Sequence, residues 1–322
     1  MTRIPTRIKT GIQLIGLFVL GLMLNSPQLP AQANSNQIAT LRWYPANTGL
    51  SFSVASSPYG IVFDGANMWV ASNTGNVITE FRASDGAVLR TITLTMSPYC
   101  LAYDGTNIWA TTYTSGNSVF KIRARDGAVL GTYVAGRGPF GIAFDGTNMW
   151  VSNVYDNTVN KLRSSDGAVL GTFPVGTEPG YLAYDGANMW VSNYNSGTLT
   201  KLRGSDGANV GTFSVVGPEG IAFDGANIWA VNYLSNTVTK VRASDGAILG
   251  TYSGGMSQPV GIAFDGVNIW VANFGASWVA KLRASDGAYL GRYGNTAGSM
   301  GVAFDGANIW VTNFYGATVS KM

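Results

Sequence analysis

From residue 141 the chain reads GIAFDGTNMWVSNVYDNTVNKLRSSDGAVLGTFPVG. Four short runs stand out in it: GIAF, NMWVSN, TVNKLR and AVLGTFPV. Each is rich in β-branched, aromatic and other apolar residues, and Gly, Asp, Asn and Ser separate one from the next. Such runs between turn formers predict β-strands, here called a, b, c and d. Strand b is nearly continuous in apolar residues, which suits a strand covered on both faces. No stretch beyond residue 33 carries a sustained helical period.

The pattern repeats. Asp-Gly-x-Asn-x-Trp occurs seven times, beginning at Asp64, Asp104, Asp145, Asp185, Asp224, Asp265 and Asp305. The spacings are 40, 41, 40, 39, 41 and 40 residues, a period that marks a repeat architecture. Four antiparallel strands repeated seven times predict an all-β fold, a seven-bladed β-propeller over residues 34–322. The last copy ends after its strand c, TVSKM. The segment 41–54, LRWYPANTGLSFSV, aligns with LRSSDGAVLGTFPV of a full copy. The N-terminal segment is therefore expected to supply the missing outer strand and close the ring without leaving an edge.

Asp-Gly marks the a–b turn, and a second Asp-Gly marks the c–d turn at Asp85, Asp126, Asp166, Asp206, Asp245 and Asp286. Gly accepts positive φ there, and Asp caps neighbouring N–H groups. Thirteen of the 14 aspartates belong to these turns, so they read as turn-forming residues rather than catalytic acids. The tryptophans Trp69, Trp109, Trp150, Trp190, Trp229, Trp270 and Trp310 fall within strand b. They are expected to fill the wedges between neighbouring blades.

Composition narrows the chemistry. Residues 1–33 read as a secretory signal peptide: Arg3, Arg7 and Lys9 precede the apolar GIQLIGLFVLGLML, and Ala31-Gln32-Ala33 is a small-x-small cleavage site. The apolar run is too short for a transmembrane span, so a secreted or periplasmic protein with no membrane anchor is expected. Its loss removes three of the 20 basic residues and leaves them balanced by the 17 acids. Nothing then favours nucleic-acid binding. The repeated Lys-x-Arg of strand c, as at Lys161 and Arg163, reads as a solvated rim, and Glu80, in the same register, as a surface residue. Cys100, the single cysteine, excludes an intrachain disulfide and reads as a small buried thiol where most copies have Gly. Histidine is absent, which excludes His general bases, Ser-His and Cys-His pairs and His-ligated metals. Gly136 to Gly141 matches G-x-G-x-x-G, but it leads into a strand and contains Pro139, so no nucleotide site is expected.

The meander puts every Asp-Gly turn on one face, and the differences between copies gather on the other. There the d–a loops, mostly Pro-x-Gly, offer Tyr59, Tyr99, Phe140, Gly180, Glu219, Val260 and Met300 near the axis, with Arg137 and Glu178 beside them. The b–c loops add Tyr113, Tyr155, Asp156, Tyr194, Tyr233, Phe274, Phe314 and Tyr315. An aromatic-rimmed mouth with few charges predicts a site for a small molecule, a glycan or a protein. Glu178 and Glu219 are the carboxylates expected near the axis, as weak candidates for acid–base work or a shared divalent metal; no cofactor and no metal are otherwise expected.

WVSN (150–153), WVTN (310–313) and the lead-in Pro-x-Gly-Ile-Ala-Phe-Asp-Gly resemble the YVTN and NHL classes of propeller repeat. The whole chain beyond the leader resembles the virginiamycin B lyase (streptogramin lyase) superfamily. That resemblance implies a seven-bladed fold and, for the lyases, histidines with a Glu and a bound magnesium ion. No histidine is present here to match, so the catalytic set does not carry over. The expected function is a secreted, monomeric binding module acting through its loop face rather than an enzyme. The alternatives are a His-free lyase- or lactonase-like enzyme using Glu178 and Glu219, and a cell-envelope assembly protein using the blade rims.

Overall fold

A computed structural model describes residues 49–114, 116–294 and 297–322. The expected signal peptide and residues 34–48 lie outside them. The described residues hold seven four-stranded antiparallel sheets and no helix; no helix long and apolar enough to cross a membrane occurs among them. The third blade is representative, with β10 (Pro139–Phe144), β11 (Asn148–Asn153), β12 (Thr158–Arg163) and β13 (Val169–Pro174) as strands a to d. The seventh sheet takes β26 (Ser299–Phe304), β27 (Ile309–Asn313) and β28 (Thr318–Lys321) from the C-terminus and β1 (Leu50–Ser53) from the N-terminal side. β1 lies antiparallel to β28, with Phe52 opposite Val319, and the Phe52 ring stacks on Trp310 at 5.6 Å.

The Asp-Gly-x-Asn-x-Trp motif folds as one hydrogen-bonded unit. Asp145 Oδ1 accepts from the Thr147 and Asn148 amides at 2.9 and 2.7 Å, and Oδ2 accepts from Trp150 Nε1 at 2.7 Å. The carboxylate thus satisfies the turn and the one polar atom of an indole that is 0 % exposed. Across the sheet, Ala143, Trp150, Lys161 and Gly171 form one row of partners. Small residues at both ends leave room for the indole. The core therefore lies between blades: Trp150 packs with Leu182, Met189, Val191 and Leu202 of the next blade.

Two expectations fail at the same register. The strand c lysines are not a solvated rim. Lys161 is 8 % exposed, and its Nζ reaches across the seam to Gly204 O at 2.6 Å while lying over the Trp150 ring at 5.1 Å. Among the described residues, six tryptophan faces carry a lysine ammonium. Glu80 is not a surface residue either; it is 1 % exposed. The long Lys stem follows the apolar wedge, and its ammonium finds carbonyls at the far side. Sequence alone places the residue on strand c but does not show that a second blade covers it. The arginines two positions on behave as expected, with half-exposed ion pairs such as Arg163–Asp166 at 2.8 Å.

Strand a runs nearest the axis, and its glycines are steric. A Cβ on Gly60 would lie 2.3 Å from Tyr99 O, and one on Gly261 would lie 2.0 Å from Met300 O. Consecutive inner strands approach too closely for a side chain on that side. Cys100 and Tyr181 occupy the same slot in the second and fourth blades; the missing glycines are where the ring breaks its sevenfold regularity.

Candidate functional site

The site is built from strand a termini and b–c loops. Tyr59, Tyr99 and Phe140 begin strands a or lead into them, and their rings meet: Tyr59–Tyr99 at 4.6 Å, Tyr99–Phe140 at 5.8 Å and Tyr59–Phe140 at 5.9 Å. Tyr113 from a b–c loop adds edge contacts to Tyr99 and Phe140, each at 5.2 Å, and stacks on Tyr155 at 5.7 Å. Tyr59 and Phe140 are buried, whereas Tyr155 is 56 % exposed. The cluster thus runs from the axis outward to solvent. A second group, Phe274, Phe314 and Tyr315, meets at 5.3–6.2 Å over the sixth and seventh blades. Tyr194 and Tyr233 touch at 6.2 Å over the fourth and fifth.

Tyr181 is the residue that the sequence reading missed. Its ring meets Phe140 edge-on at 5.2 Å, and its hydroxyl lies 3.3 Å from the Tyr59 hydroxyl. The signal was present, because Tyr181 departs from the glycine slot in the same way as Cys100. Beneath the aromatic cluster is an axial cavity of about 130 Å³ lined by Tyr59, Cys100, Tyr181 and the inner glycines. That is room for roughly four waters at liquid density.

Glu219 carries the charge of this region. Burial first, and then the negative charge of Glu178, push its carboxyl up to about 7. Burial in turn holds the Tyr59, Tyr181 and Cys100 protons well beyond their ordinary ranges, with Glu219 adding to each. These three groups are neutral at every ordinary pH, and Glu219 is the one that changes state near neutrality. Glu178 is exposed, in the left-handed region at φ 55°, and its amide donates to Asn157 Oδ1 at 3.0 Å.

Other candidates fall elsewhere. Asp156 accepts from the Arg137 amide at 2.6 Å, so its carboxylate holds a loop, while both side chains are exposed. Val260 is buried at 5 %, and Gly180 offers only backbone. Among the described residues no three Cys, Asp or Glu side chains gather to hold a metal ion. Glu178 and Glu219 alone fall short of the oxygen shell that Mg²⁺ or Ca²⁺ takes.

No family model and no curated protein matches the chain. Solved structures do. Virginiamycin B lyase of Staphylococcus aureus superposes with a TM-score of 0.74 over 85 % of this chain and 98 % of its own, at 21 % identity. The fold is that of virginiamycin B lyase. A streptogramin B lyase superposes at 0.73 with 18 % identity, over 85 % of this chain and 96 % of its own. The hydrazine synthase of Kuenenia stuttgartiensis reaches 0.72 with 15 % identity, over 87 % and 98 %. Virginiamycin B lyase has also been solved as a catalytically inactive histidine-to-alanine variant with quinupristin. This chain shares the lyase architecture and contains no histidine. Two differently named activities on one architecture show that the fold does not fix the chemistry.

Proposed function

We propose that the chain is an exported binding module whose loop-rich face takes a small ligand with a flat or apolar surface, such as a ring system or a sugar. The observation that carries this reading is the contrast between its two faces. Each of the seven a–b Asp-Gly turns repeats the same caps, two backbone amides and one indole N–H on the Asp carboxylate. The opposite face differs in each blade and brings Tyr59, Tyr99, Tyr113, Phe140, Tyr155 and Tyr181 beside one titratable carboxylate, Glu219. Aromatic faces that grade from buried to exposed supply contact area with little rotamer entropy to lose. Glu219 would read one polar or cationic group. A thermal-shift screen of ring compounds and saccharides tests the reading. A binder raises the melting midpoint as RT ln(1 + [L]/Kd), and Tyr113→Ala and Tyr155→Ala should each weaken it about tenfold. A binder unaffected by either substitution, or no binder at all, would count against it.

A second reading, a His-free enzyme, is favoured by one observation: a carboxyl that titrates at about 7 suits a general acid or base. Calorimetry with Mg²⁺ and Ca²⁺ tests its metal-dependent form. Tight binding that is lost in Glu219→Gln would support it, and no tight binding would exclude it.

A further inference from the structure

Burial changes along strand a. In the first blade Tyr59 and Gly60 are buried, while Ile61, Val62 and Phe63 are partly exposed. In the sixth, Val260 and Gly261 are buried, while Ile262, Ala263 and Phe264 are partly exposed. The axis is therefore closed at its loop end, where the aromatic cluster sits, and opens toward the Asp-Gly face. The axial chamber of about 130 Å³ lies just below that closure.

Its wall has two kinds of surface. An aliphatic residue follows the glycine slot in every blade, from Ile61 round to Val302, and the seven form an apolar collar. The ceiling is polar. Tyr181 takes a glycine slot in the fourth blade and donates from its hydroxyl across the axis to the Tyr59 hydroxyl of the first, at 3.3 Å. The proton of Tyr59 itself then meets no acceptor among the described residues, although Tyr59 is only 8 % exposed and lines the chamber. The buried Cys100 thiol lines it too, and its Sγ has no hydrogen-bond partner among the described residues.

No charged side chain lines the chamber. Burial and the nearby charge of Glu219 hold the Tyr59, Tyr181 and Cys100 protons in place, so the ceiling stays neutral and offers donors. A buried donor without an acceptor costs about 1–3 kcal/mol. Water could supply the acceptor, but it would leave the collar methyls hydrated, whereas a hydrocarbon body releases that water. An apolar cavity of about 150 Å³ holds one benzene, so the chamber suits a body of about six or seven heavy atoms.

We propose that the axial chamber binds a small neutral carbonyl compound, whose oxygen accepts from Tyr59 and whose hydrocarbon body fills the aliphatic collar. It would enter from the Asp-Gly face. The site lies beneath the aromatic mouth and does not rest on the function proposed for that mouth.

Titration with cyclohexanone, followed by NMR of protein labelled at its Ile, Leu and Val methyls, tests it. The wild type should show saturable shifts at Ile142, Leu182 and Ile221 of the collar. Tyr59→Phe, which removes the donor, should bind about fivefold more weakly. Ile221→Trp, which fills the chamber, should bind at least about tenfold more weakly. Tyr181→Gly carries the residue that five other blades have in that slot, so it should fold. It enlarges the chamber and should admit 2-adamantanone, which the wild type excludes. The proposal is overturned if cyclohexanone gives no saturable shift, moves only methyls away from the collar, or binds Tyr59→Phe or Ile221→Trp as tightly as the wild type. It is also overturned if 2-adamantanone does not distinguish Tyr181→Gly from the wild type.

Discussion

At the residue scale the aspartate of each a–b turn does three things: it caps two amides and accepts from the buried indole five residues on. Asp145→Ala should therefore cost about 2–3 kcal/mol through stranded buried donors. Trp150→Ala should cost about 3–5 kcal/mol through the cavity it leaves. The double variant should cost less than the sum, because the two side chains share one bond; denaturant unfolding of the three variants measures this. Glu219 gives a pH signature. Folding raises its carboxyl from the ordinary 4.5 to about 7, so between those values the folded state holds a proton that the unfolded chain has released. The stability this gives is complete below about pH 4.5 and is lost as pH rises through about 7. Glu219→Gln should flatten that fall and exceed the wild type above pH 7, by on the order of 2 kcal/mol. Melting midpoints from pH 4 to 9 that run parallel for the two proteins would contradict the assignment.

At the element scale, inner strand a is set by the absence of a side chain and outer strand d by the presence of a partner. Gly261→Ala drives a methyl into Met300 O, and both are backbone-fixed. It should cost more than about 2 kcal/mol through that clash; Gly291→Ala on outer strand d meets nothing nearer than 3.7 Å, and its cost is the backbone strain of φ 134° alone, about 1–3 kcal/mol. β1 completes the seventh sheet by pairing four residues with β28. Deleting residues 34–54 leaves β28 as an open edge and uncovers Trp310, so the product should aggregate. A soluble, monomeric deletion with a single cooperative melt would show that β1 is dispensable.

At the scale of the whole molecule, seven near-identical blades leave little for specificity except their departures from the repeat. The departures cluster. Cys100, Tyr181 and Glu219 mark the axis beneath the aromatic mouth, and Glu80 with Arg90 marks one seam on the opposite face. If the mouth is the ligand site, Tyr113→Ala should abolish most of a binder's thermal shift and leave the unliganded midpoint within about 1 kcal/mol equivalent, since Tyr113 is half-exposed. If the ring merely caps the blades, the same change lowers the unliganded midpoint and there is no ligand shift to lose.

The 40-residue period, the strand count and the place of every turn follow from local chemistry, because Asp-Gly and alternating apolar runs act over a few residues. That is why the blades, the buried tryptophans and the turn role of the aspartates were legible in the sequence. The burial of Lys161 and Glu80, the Tyr59–Tyr181 contact and the Glu80–Arg90 ion pair at one seam were not. Each depends on which residue a neighbouring blade presents some 40 or 120 positions away, and hydrophobic periodicity carries no information about that distance. The sequence determined the module and its number; only the circular stacking decided which of its polar groups are covered, and covering a charge is what changes its chemistry.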